Sequence, residues 1–308
     1  MKKIHLFALS VLLFVSVLSL SVMGQAIVVS DVGTSARMLS IGHIGGVDSS
    51  AIAVFENPAS LEPISRYSFS AFTSTLFGEV NYRNFAVAKK TAMGTLSLGY
   101  MSAGMDGFPE SQKVMVDGTE KFIASSYHSI SHSLVKMGHS YALSESVTLG
   151  SAVSFYSDTI MTVTGTGYNA DLGLIYSQNR WKVSQSFQNL IRPLSLDYSN
   201  GASMSLPFYS MTSIQVDFSP VSLYSQVKYV SHSDPLFLSL GSRYTPHFLP
   251  FLEFNAGLRH VPYLDTTRTH ATLGIGISLN GISFHYAYEE SDVLNSNDNH
   301  YFSLDLSL

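Results

Sequence analysis

The sequence lacks the features that mark most soluble domains and most helical membrane proteins. Its 308 residues contain no cysteine, and charged residues make up 13% of the chain, against about 25% in a typical soluble protein. The absence of cysteine excludes disulfides and also a lipid-anchored precursor. Beyond the first 26 residues, no stretch approaches the roughly 20 apolar residues that a membrane-spanning helix needs. The net charge of −5 includes no long run of one sign, which argues against a nucleic-acid partner.

The one long apolar stretch lies at the N-terminus and has the layout of a signal peptide. Lys2 and Lys3 precede an apolar run that starts at Ile4, and small residues follow up to Ala26. A basic start, a short apolar run and a small-residue exit are typical of a secretory signal. The alternative, an N-terminal membrane helix, fits the short run less well. We therefore predict that residues 1–26 are a signal peptide and that the protein is exported.

Alternation with a period of two is abundant from about Arg66 onward. In the last segment Phe302, Leu304, Leu306 and Leu308 alternate with smaller, mostly polar residues. Large apolar groups at every second position describe a strand between an apolar surface and a wet one. About fourteen such segments follow one another, an even number, as bacterial single-chain barrels require. For an exported chain that is apolar without being helical, closed strands are the way to cross a bilayer.

The connections between these segments favour a barrel over a soluble β-sandwich. Tight turns such as Asn280-Gly281, the strongest hairpin signal, alternate with predicted polar loops. Outer-membrane barrels have short turns at one rim and longer loops at the other, whereas a sandwich has no reason to sort its loops this way. We predict an all-β, antiparallel transmembrane barrel of about 14 strands over residues 66–308, placed in the cell outer membrane. The predicted long loops are 103–126, 157–166, 189–205, 262–268 and 290–299.

Residues 27–65 do not share the alternation and read as short helical or irregular pieces around Gly45-Gly46. We predict that they form a small N-terminal plug, or hatch, inside the lumen, which a fourteen-stranded barrel is wide enough to hold. The alternative is a disordered periplasmic arm, which the Ile, Leu, Val and Phe content of the segment disfavours. The predicted plug motif consists of Arg37, Gly42, Asp48, Asn57, Pro58 and Ala59.

The N-terminal motifs resemble those of a known family. Thr34–Gly42, Asp48–Ala51 and Asn57–Leu61 resemble the start of the PorV/PorQ family of FadL-like outer-membrane barrels, although Ser49 and Ser60 stand where the family pattern has aspartate and glycine. Weaker similarity runs to the C-terminus. The resemblance implies a fourteen-stranded barrel with a hatch, and it implies two alternative functions. One is uptake of hydrophobic, fatty-acid-like molecules, which leave through a lateral opening in the wall. The other is docking or shuttling of secreted proteins for type IX secretion.

Two pairs of plug residues each allow a structural and a functional interpretation. Pro58 fixes its φ and Asn57 can bond to the local backbone, so the pair forms either a tight turn or a hinge that responds to ligand. Arg37 and Asp48 are expected to pair with each other or with wall charges, because an unpaired buried charge is costly. The alternative for Arg37 is binding of a substrate head group.

The lateral opening requires a bend in the wall. Uptake of hydrophobic molecules would need a kink or gap in a strand near the plug, and glycine inside a strand often marks such a bend. We predict Gly94, Gly99 and Gly173 as the available bend sites.

The sequence does not predict catalysis or metal binding. His128 and His132 lie on one strand face about 13 Å apart, too far to share a zinc ion, so we expect neither a metal nor a cofactor. No G-x-S-x-G motif occurs, and we predict that the protein is not an enzyme. Expected partners are outer-membrane lipid, a hydrophobic ligand, the assembly machinery that reads the last strand and, in the alternative, secreted proteins. A structural or adhesive surface barrel is a third hypothesis.

Overall fold

The computed structural model describes residues 32–76, 79–116, 119–191, 194–231, 236–263, 266–290 and 298–308. The predicted signal peptide, residues 1–26, lies outside the described residues, as do the first residues of the predicted plug.

Antiparallel strands make up most of the described chain, because its period-two alternation suits a sheet with one apolar face. Sixteen strands are present among the described residues. Their bounds are β1 Tyr67–Leu76, β2 Val80–Thr91, β3 Gly94–Val116, β4 Thr119–Ser144, β5 Val147–Ile160, β6 Val163–Gln178, β7 Trp181–Gln188, β8 Ser195–Tyr198, β9 Ser203–Ser205, β10 Tyr209–Phe218, β11 Val221–Val230, β12 Phe237–Tyr244, β13 Leu252–Tyr263, β14 Thr266–Leu279, β15 Ile282–Glu289 and β16 Asn299–Ser307.

Fourteen of these strands close into a barrel. Strands β1 to β7 pair in sequence, β7 pairs with β10, and β10 to β16 pair in sequence. The ring closes where β16 pairs antiparallel with β1, from Ser68 opposite Ser307 to Ser74 opposite Tyr301. The remaining two strands, β8 and β9, form a side hairpin that joins β6. The prediction of a fourteen-stranded antiparallel barrel is therefore confirmed.

The alternation in sequence becomes an alternation between the outer and inner faces of the wall. In β2, Phe85 and Val87 are exposed on the outside, whereas Asn84, Ala86 and Ala88 are buried inside. In β16, Phe302 and Leu304 are likewise exposed, Leu306 shares their side of the strand, and Leu308, directly after β16, is exposed too. An apolar outer face around a polar and small-residue lumen is the arrangement expected of a barrel in lipid.

The two rims of the barrel differ. One rim, here called the turn end, carries the short connections 92–93, 145–146, 179–180, 219–220 and 280–281, together with the longer connection 245–251. At the last of these, Asn280 and Gly281 have φ values of 50° and 83°, as the hairpin signal in the sequence predicted. The opposite rim, here called the loop end, carries the connection between β7 and β10.

Three of the five predicted long loops are wrong. Residues 103–126 belong mostly to a hairpin in which β3 and β4 stay paired up to Val116 opposite Thr119. Residues 157–166 and 262–268 are likewise mostly strand. The β3–β4 hairpin is exposed on both sides near its tip, so the burial of alternate side chains stops there while the backbone pairing continues. Loop 189–205 contains the short strands β8 and β9, and most of 290–299 lies outside the described residues.

Residues 32–65, here called the inner segment, contain three short helices. They are the α-helix α1 (Ala36–Ser40) and the 3-10 helices η1 (Ala51–Phe55) and η2 (Pro58–Leu61). The side chain of Ser35 accepts a hydrogen bond from the backbone N–H of Met38 and so caps α1. Such caps satisfy backbone donors that a short helix leaves free.

The inner segment crosses the interior of the barrel. Helix α1 packs against β13 to β16, η1 against β1 to β4, and η2 against β3 to β6. Strands β5 and β14 are half the ring apart, so the segment touches opposite walls. Its residues contribute much of the buried core, including Leu39, Ile52, Val54, Phe55 and Leu61.

Among the described residues, no helix has both the length and the apolar character needed to cross a membrane.

Candidate functional site

The Asn57-Pro58-Ala59 turn fastens the inner segment to the wall. The side-chain oxygen of Asn57 accepts a hydrogen bond from the N–H of Ala59 at 2.9 Å and thereby caps η2. The side-chain nitrogen of Asn57 donates to Ser184 Oγ in β7 at 2.7 Å. Pro58 occupies the first turn of η2, where a missing N–H costs nothing. One buried amide therefore both starts a helix and ties it to the barrel.

Glycines in the wall allow this turn to come close. Gly150 and Gly173 pair across β5 and β6. A Cβ atom at Gly173 would lie 1.8 Å from Asn57 Oδ1, and one at Gly150 would lie 2.1 Å from the backbone nitrogen of Ala59. Any side chain at either position would therefore displace the turn.

Gly99 and Gly173, two of the available bend sites, do not interrupt the strand ladder. The pairing of β2, β3 and β4 is regular at Gly99, and the pairing of β5, β6 and β7 is regular at Gly173. At Gly99 an added Cβ would lie 2.4 Å from the ring of Phe55, so this glycine also makes room for the inner segment. Gly94 has a φ of +111° at the start of β3, where a tight turn requires it.

A second glycine patch lies on the opposite wall. A Cβ at Gly241 would be 2.2 Å from the carbonyl oxygen of Ile41, and one at Gly257 would be 2.0 Å from the nitrogen of Gly42. Gly42 itself has a φ of +85°, and its N–H donates to Thr272 Oγ1 at 3.0 Å. The predicted motif glycine is thus required both by its backbone conformation and by its contact with the wall.

Arg37 and Asp48 belong to a charge cluster near the turn end. Arg37 Nη1 lies 2.7 Å from Asp48, and its Nη2 lies 3.3 Å from Glu253 in β13. Arg243 and His285 also contact Glu253. Burial is the largest single effect and would raise the pKa of Asp48, but the neighbouring cations, Arg37 foremost and then Arg243, together hold that pKa below its usual value. The cluster fixes α1 to the wall.

Two further charges of the wall, Asp171 and Lys228, are engaged away from Arg37 and Asp48. Asp171 pairs with Lys136 at 2.7 Å in a fully buried ion pair. Lys228 lies over the rings of Tyr209 and Phe237, at 4.9 and 5.8 Å from their centroids.

A cavity of about 370 Å³ lies between the inner segment and strands β10 to β13. It sits on the loop-end side of the inner segment, because its wall residues come from the loop-end halves of their strands. Its lining combines aromatic, methionine and aliphatic side chains with cationic and amide groups. The lining residues are Thr34, Met38, His43, Gly45, Phe55, Glu56, Gln188, Tyr209, Met211, Gln226, Lys228, Val230, Phe237, Ser239, Arg259 and His260.

His43 is held neutral at the edge of this cavity. Arg259 Nη1 lies 3.2 Å from His43 Nδ1, and Glu289 Oε2 lies 3.2 Å from His43 Nε2. An arginine can only donate, so Nδ1 accepts and Nε2–H donates, which is the neutral tautomer. Burial, reinforced by the charge of Arg259, lowers the pKa of His43 to about 4.

Sequence reasoning missed Glu56, which lies on the floor of the cavity and is almost fully buried. Its carboxylate accepts a hydrogen bond from the N–H of Gly46 at 2.7 Å and one from the hydroxyl of Thr34. The sequence did contain a signal for this residue. An acidic side chain directly after the apolar run Ala51–Phe55 and directly before Asn57 indicates a carboxylate close to the buried part of the segment.

A second recess of about 540 Å³ lies at the loop end, between the β3–β4 hairpin, the β5–β6 turn and the β8–β9 hairpin. Its lining is mainly apolar and includes Ile160, Met161, Val163 and Met204. The ion pair that includes His128, which contacts Glu110 at 3.0 Å, lies on one side of it.

The histidines considered for metal binding have carboxylate partners instead, since His132 contacts Asp158 at 3.1 Å. Within the described ranges, no group of three or more histidine and carboxylate side chains is placed to hold a metal ion.

Comparison with solved structures identifies the fold. The P. putida toluene transporter TodX superposes with a TM-score of 0.64 at 12% identity, covering 90% of this chain and 99% of TodX. A Pseudomonas aeruginosa FadL homologue superposes with a TM-score of 0.57 at 12% identity, covering 88% of this chain and 97% of the homologue. No protein-family model and no curated protein sequence matches the chain. The chain therefore has the barrel fold of FadL-type outer-membrane channels, while the resemblance to PorV/PorQ stays a prediction.

Proposed function

We propose that this protein is an outer-membrane channel that takes up hydrophobic small molecules. In this proposal residues 1–26 direct export, residues 27–65 are the plug, and residues 66–308 are the membrane-spanning barrel. The observation that carries the proposal is the 370 Å³ cavity between the inner segment and the wall. Pockets of about 300–1,000 Å³ are the size that holds small molecules.

The chemistry of the cavity supports a ligand with an apolar body. Met38, Phe55, Met211 and Phe237 form much of its surface, and aromatic and methionine side chains adapt to apolar ligands of varied shape. The apolar recess at the loop end lies on the side from which a ligand would arrive. TodX is a toluene transporter, and we carry a comparable ligand class over to this chain as part of the proposal.

Passage through this channel requires the inner segment to move. The segment fills the lumen between the cavity and the turn end, and it touches opposite walls at the two glycine patches. We propose that the inner segment rotates about Asn57-Pro58 and that this turn itself stays in place, because Asn57 is hydrogen-bonded to Ser184 in β7. The described strand ladder is regular beside it, so a lateral exit at this wall would require a shift of the segment and the strands together.

Uptake of a radiolabelled monoaromatic hydrocarbon by cells that lack their own hydrophobic channels tests the proposal. Ser239 points into the cavity from β12, whereas its neighbour Leu238 points outward. Ser239→Trp fills the cavity and is expected to reduce uptake to the level of cells without the protein. Leu238→Trp, on the same strand but the opposite face, is expected to leave uptake unchanged.

Both variants must reach the outer membrane in equal amounts for this comparison. Wild-type uptake no faster than that of cells without the protein, for the hydrocarbon and for a long-chain fatty acid alike, would refute the channel. Equal uptake by the two tryptophan variants would refute the cavity as the route.

The β3–β4 hairpin favours a second candidate function, the docking of secreted proteins in the manner of type IX secretion components. Its outer part exposes Met115, Phe122 and Tyr127, and exposed apolar groups of this kind often mark protein contacts. Removing residues 106–128 and joining the strands by a short turn separates the candidates. Docking predicts loss of secretion with uptake intact, whereas the channel alone predicts no secretion defect.

A further inference from the structure

The outer face of the barrel wall carries a recess that the proposed uptake does not use. This recess, here called the outer groove, has a volume of about 410 Å³ and lies across β4 to β7. Outward side chains line it, together with the backbone of two glycines. The lining residues are His139, Tyr141, Leu149, Gly150, Ser151, Leu172, Gly173, Leu174 and Phe187.

The outer groove exists because one small side chain stands among large ones. Ser151 in β5 is exposed and pairs with His139 of β4 on one side and with Leu172 of β6 on the other. Leu149, two residues away on the same strand face, and Leu172 are both exposed. Outward side chains stand roughly perpendicular to a sheet, so the two leucines project on either side of the serine and leave a gap above it.

A single layer of backbone separates the outer groove from the inner segment. Gly150 and Gly173 pair between the outward rows of side chains. On the lumen side the Asn57-Pro58-Ala59 turn fills the space next to them, since a Cβ atom at Gly173 would lie 1.8 Å from Asn57 Oδ1. An occupant of the outer groove therefore covers the wall directly behind the turn that fastens the inner segment.

The two ends of the outer groove differ in polarity. At the β4 end, His139 Nε2 donates to the carbonyl oxygen of Met93 at 2.8 Å, and Met93 belongs to a short connection of the turn end. Tyr141 lies three residues from the end of β4, whereas Phe187 lies six residues from the start of β7. At the β7 end, Phe187 stacks on Phe208 with 6.3 Å between ring centroids. The groove thus runs from an amphipathic end near the rim to an apolar end further from it.

We propose that the outer groove binds one acyl chain of a phospholipid from the periplasmic leaflet of the outer membrane. The short turns of outer-membrane barrels lie on the periplasmic side, so the β4 end is at the head-group level of that leaflet. There the hydroxyl of Tyr141 donates to a glycerol ester oxygen, as suits a ring with one apolar and one wet end. The chain then passes Leu149 and Leu172 and ends at Phe187. The site rests on the membrane-spanning part of the proposed function and not on uptake.

A flexible chain suits this surface better than a second copy of the protein does. Barrel walls are convex, so two barrels touch along a narrow line and a recess in one wall stays unfilled. Protein contacts inside membranes commonly use polar side chains that bond across the interface. The polar side chain next to the groove, Gln185, is instead engaged within its own wall, with Thr212 at 2.6 Å and Ser210 at 3.2 Å. What the groove offers an occupant is apolar contact, which an acyl chain supplies.

Native mass spectrometry of the full chain in detergent, titrated with dipalmitoyl phosphatidylethanolamine, tests the site. For the wild type we expect one tightly bound phospholipid. Ser151→Phe fills the groove and should weaken binding of that lipid at least about tenfold, because losing the burial of two CH₂ groups already corresponds to about that factor. The control is Ser225→Phe on the outward face of β11, where Ser225 pairs with the exposed Leu240. It should leave binding unchanged.

The length of the lipid chain gives a second measurement. The groove crosses four neighbouring strands, which is about 14 Å at about 4.8 Å between strands. A six-carbon chain reaches at most about 9 Å at about 1.5 Å per bond, so dihexanoyl phosphatidylethanolamine leaves the groove partly empty. We therefore expect the wild type to prefer the dipalmitoyl lipid more strongly than Ser151→Phe does.

Equal binding of the first lipid by wild type and Ser151→Phe, an equal loss in Ser225→Phe, or the same chain-length preference in all three overturns the proposal. A wild-type dimer that Ser151→Phe converts to a monomer assigns the groove to a second copy and also overturns it. If Ser151→Phe does not assemble, Leu149→Ala with Leu172→Ala takes its place, and unchanged lipid binding by this variant overturns the site. Lipid binding as expected in a protein without hydrocarbon uptake retains the groove and refutes only the channel.

Discussion

At the scale of single residues, the inner segment is held by polar groups that each meet a different part of the wall. Arg37 meets β13, His43 meets β13 and β15, and Asn57 meets β7. A buried polar group is stabilising only when it is paired. These contacts therefore fix one position of the segment, and Glu56 differs from them in bonding without a counter-charge.

Removal of the Arg37 charge tests this view. Arg37→Gln leaves Asp48 and Glu253 close together without the shared cation, and loss of one partner of a buried pair costs about 3–5 kcal/mol. Because the Arg37 side chain is 26% exposed, we expect a loss near the lower end, about 3 kcal/mol. Chemical unfolding in detergent micelles, followed through the single tryptophan, Trp181, measures this loss.

The matched control is Lys113→Gln in the β3–β4 hairpin. Lys113 and Glu120 lie 2.6 Å apart, but each side chain is more than half exposed. Exposed pairs contribute about 0–1 kcal/mol, so we expect a small change in unfolding free energy. Equal losses for the two variants would contradict a specific anchoring role for Arg37.

At the scale of elements, the inner segment fits against the wall because glycines of the wall lie where turns of the segment come close. The two patches, Gly150 with Gly173 and Gly241 with Gly257, lie on opposite sides of the ring. In each patch the missing side chains leave room for a turn of the inner segment. The short helices could not otherwise span the lumen, since their own hydrogen bonds are too few to hold them in place.

A methyl group added to the first patch should expel the Asn57 turn. In Gly173→Ala the new Cβ would overlap Asn57 Oδ1, and we expect a loss of about 2–3 kcal/mol from the broken buried bonds. Gly104→Ala in β3 is the control, because its nearest neighbour would be 3.3 Å away. Chemical unfolding of both variants gives the comparison.

A double variant tests whether Gly173→Ala destabilises the protein through steric overlap with Asn57. Asn57→Ala with Gly173→Ala removes the overlapping amide, so the combined loss should be smaller than the sum of the two single losses. Additive losses would show that Gly173 does not act through Asn57.

At the scale of the whole molecule, the barrel depends on closure between the ends of the chain. Strand β16 pairs with β1 and β15, and its outward face carries Phe302, whose ring packs 5.4 Å from that of Tyr286. Closure leaves none of the fourteen barrel strands, over their described residues, at an open end of the ring, whereas an open sheet of this size would have to protect two edge strands.

Charges on the outer face of β16 should prevent assembly. In Phe302→Lys with Leu306→Lys, each lysine on a lipid-facing position costs up to about 2–4 kcal/mol, depending on depth. We expect loss of the folded, heat-modifiable barrel from outer-membrane fractions analysed by gel electrophoresis.

The control places the same two lysines on exposed apolar positions near the tip of the β3–β4 hairpin, Met115 and Phe122. These are expected to leave assembly intact. Normal assembly of the Phe302 and Leu306 variant would contradict a lipid-facing role for β16.

Much of the fold could be predicted because strand alternation is local. The period-two pattern of Phe302 to Leu308 shows a strand and its apolar face without any knowledge of its neighbours. Reliance on this pattern led to the wrong prediction of a loop at 103–126. There the β3–β4 hairpin extends beyond the membrane-facing part of the barrel, and both of its faces are exposed to water. Pairing there continues through the backbone, which leaves no alternation of apolar side chains.

The sequence by itself determined the number of strands in the barrel and their antiparallel order, and it set residues 32–65 apart from the strands, because these features follow from short-range periodicity and turn chemistry. Only the tertiary structure decided that Gly173 makes room for Asn57, that Arg37 meets Glu253 some 216 positions along the chain, and that Glu56 is buried without a cation. Each of these depends on which residues meet across the lumen, and local sequence does not encode distances between elements that lie far apart in the chain.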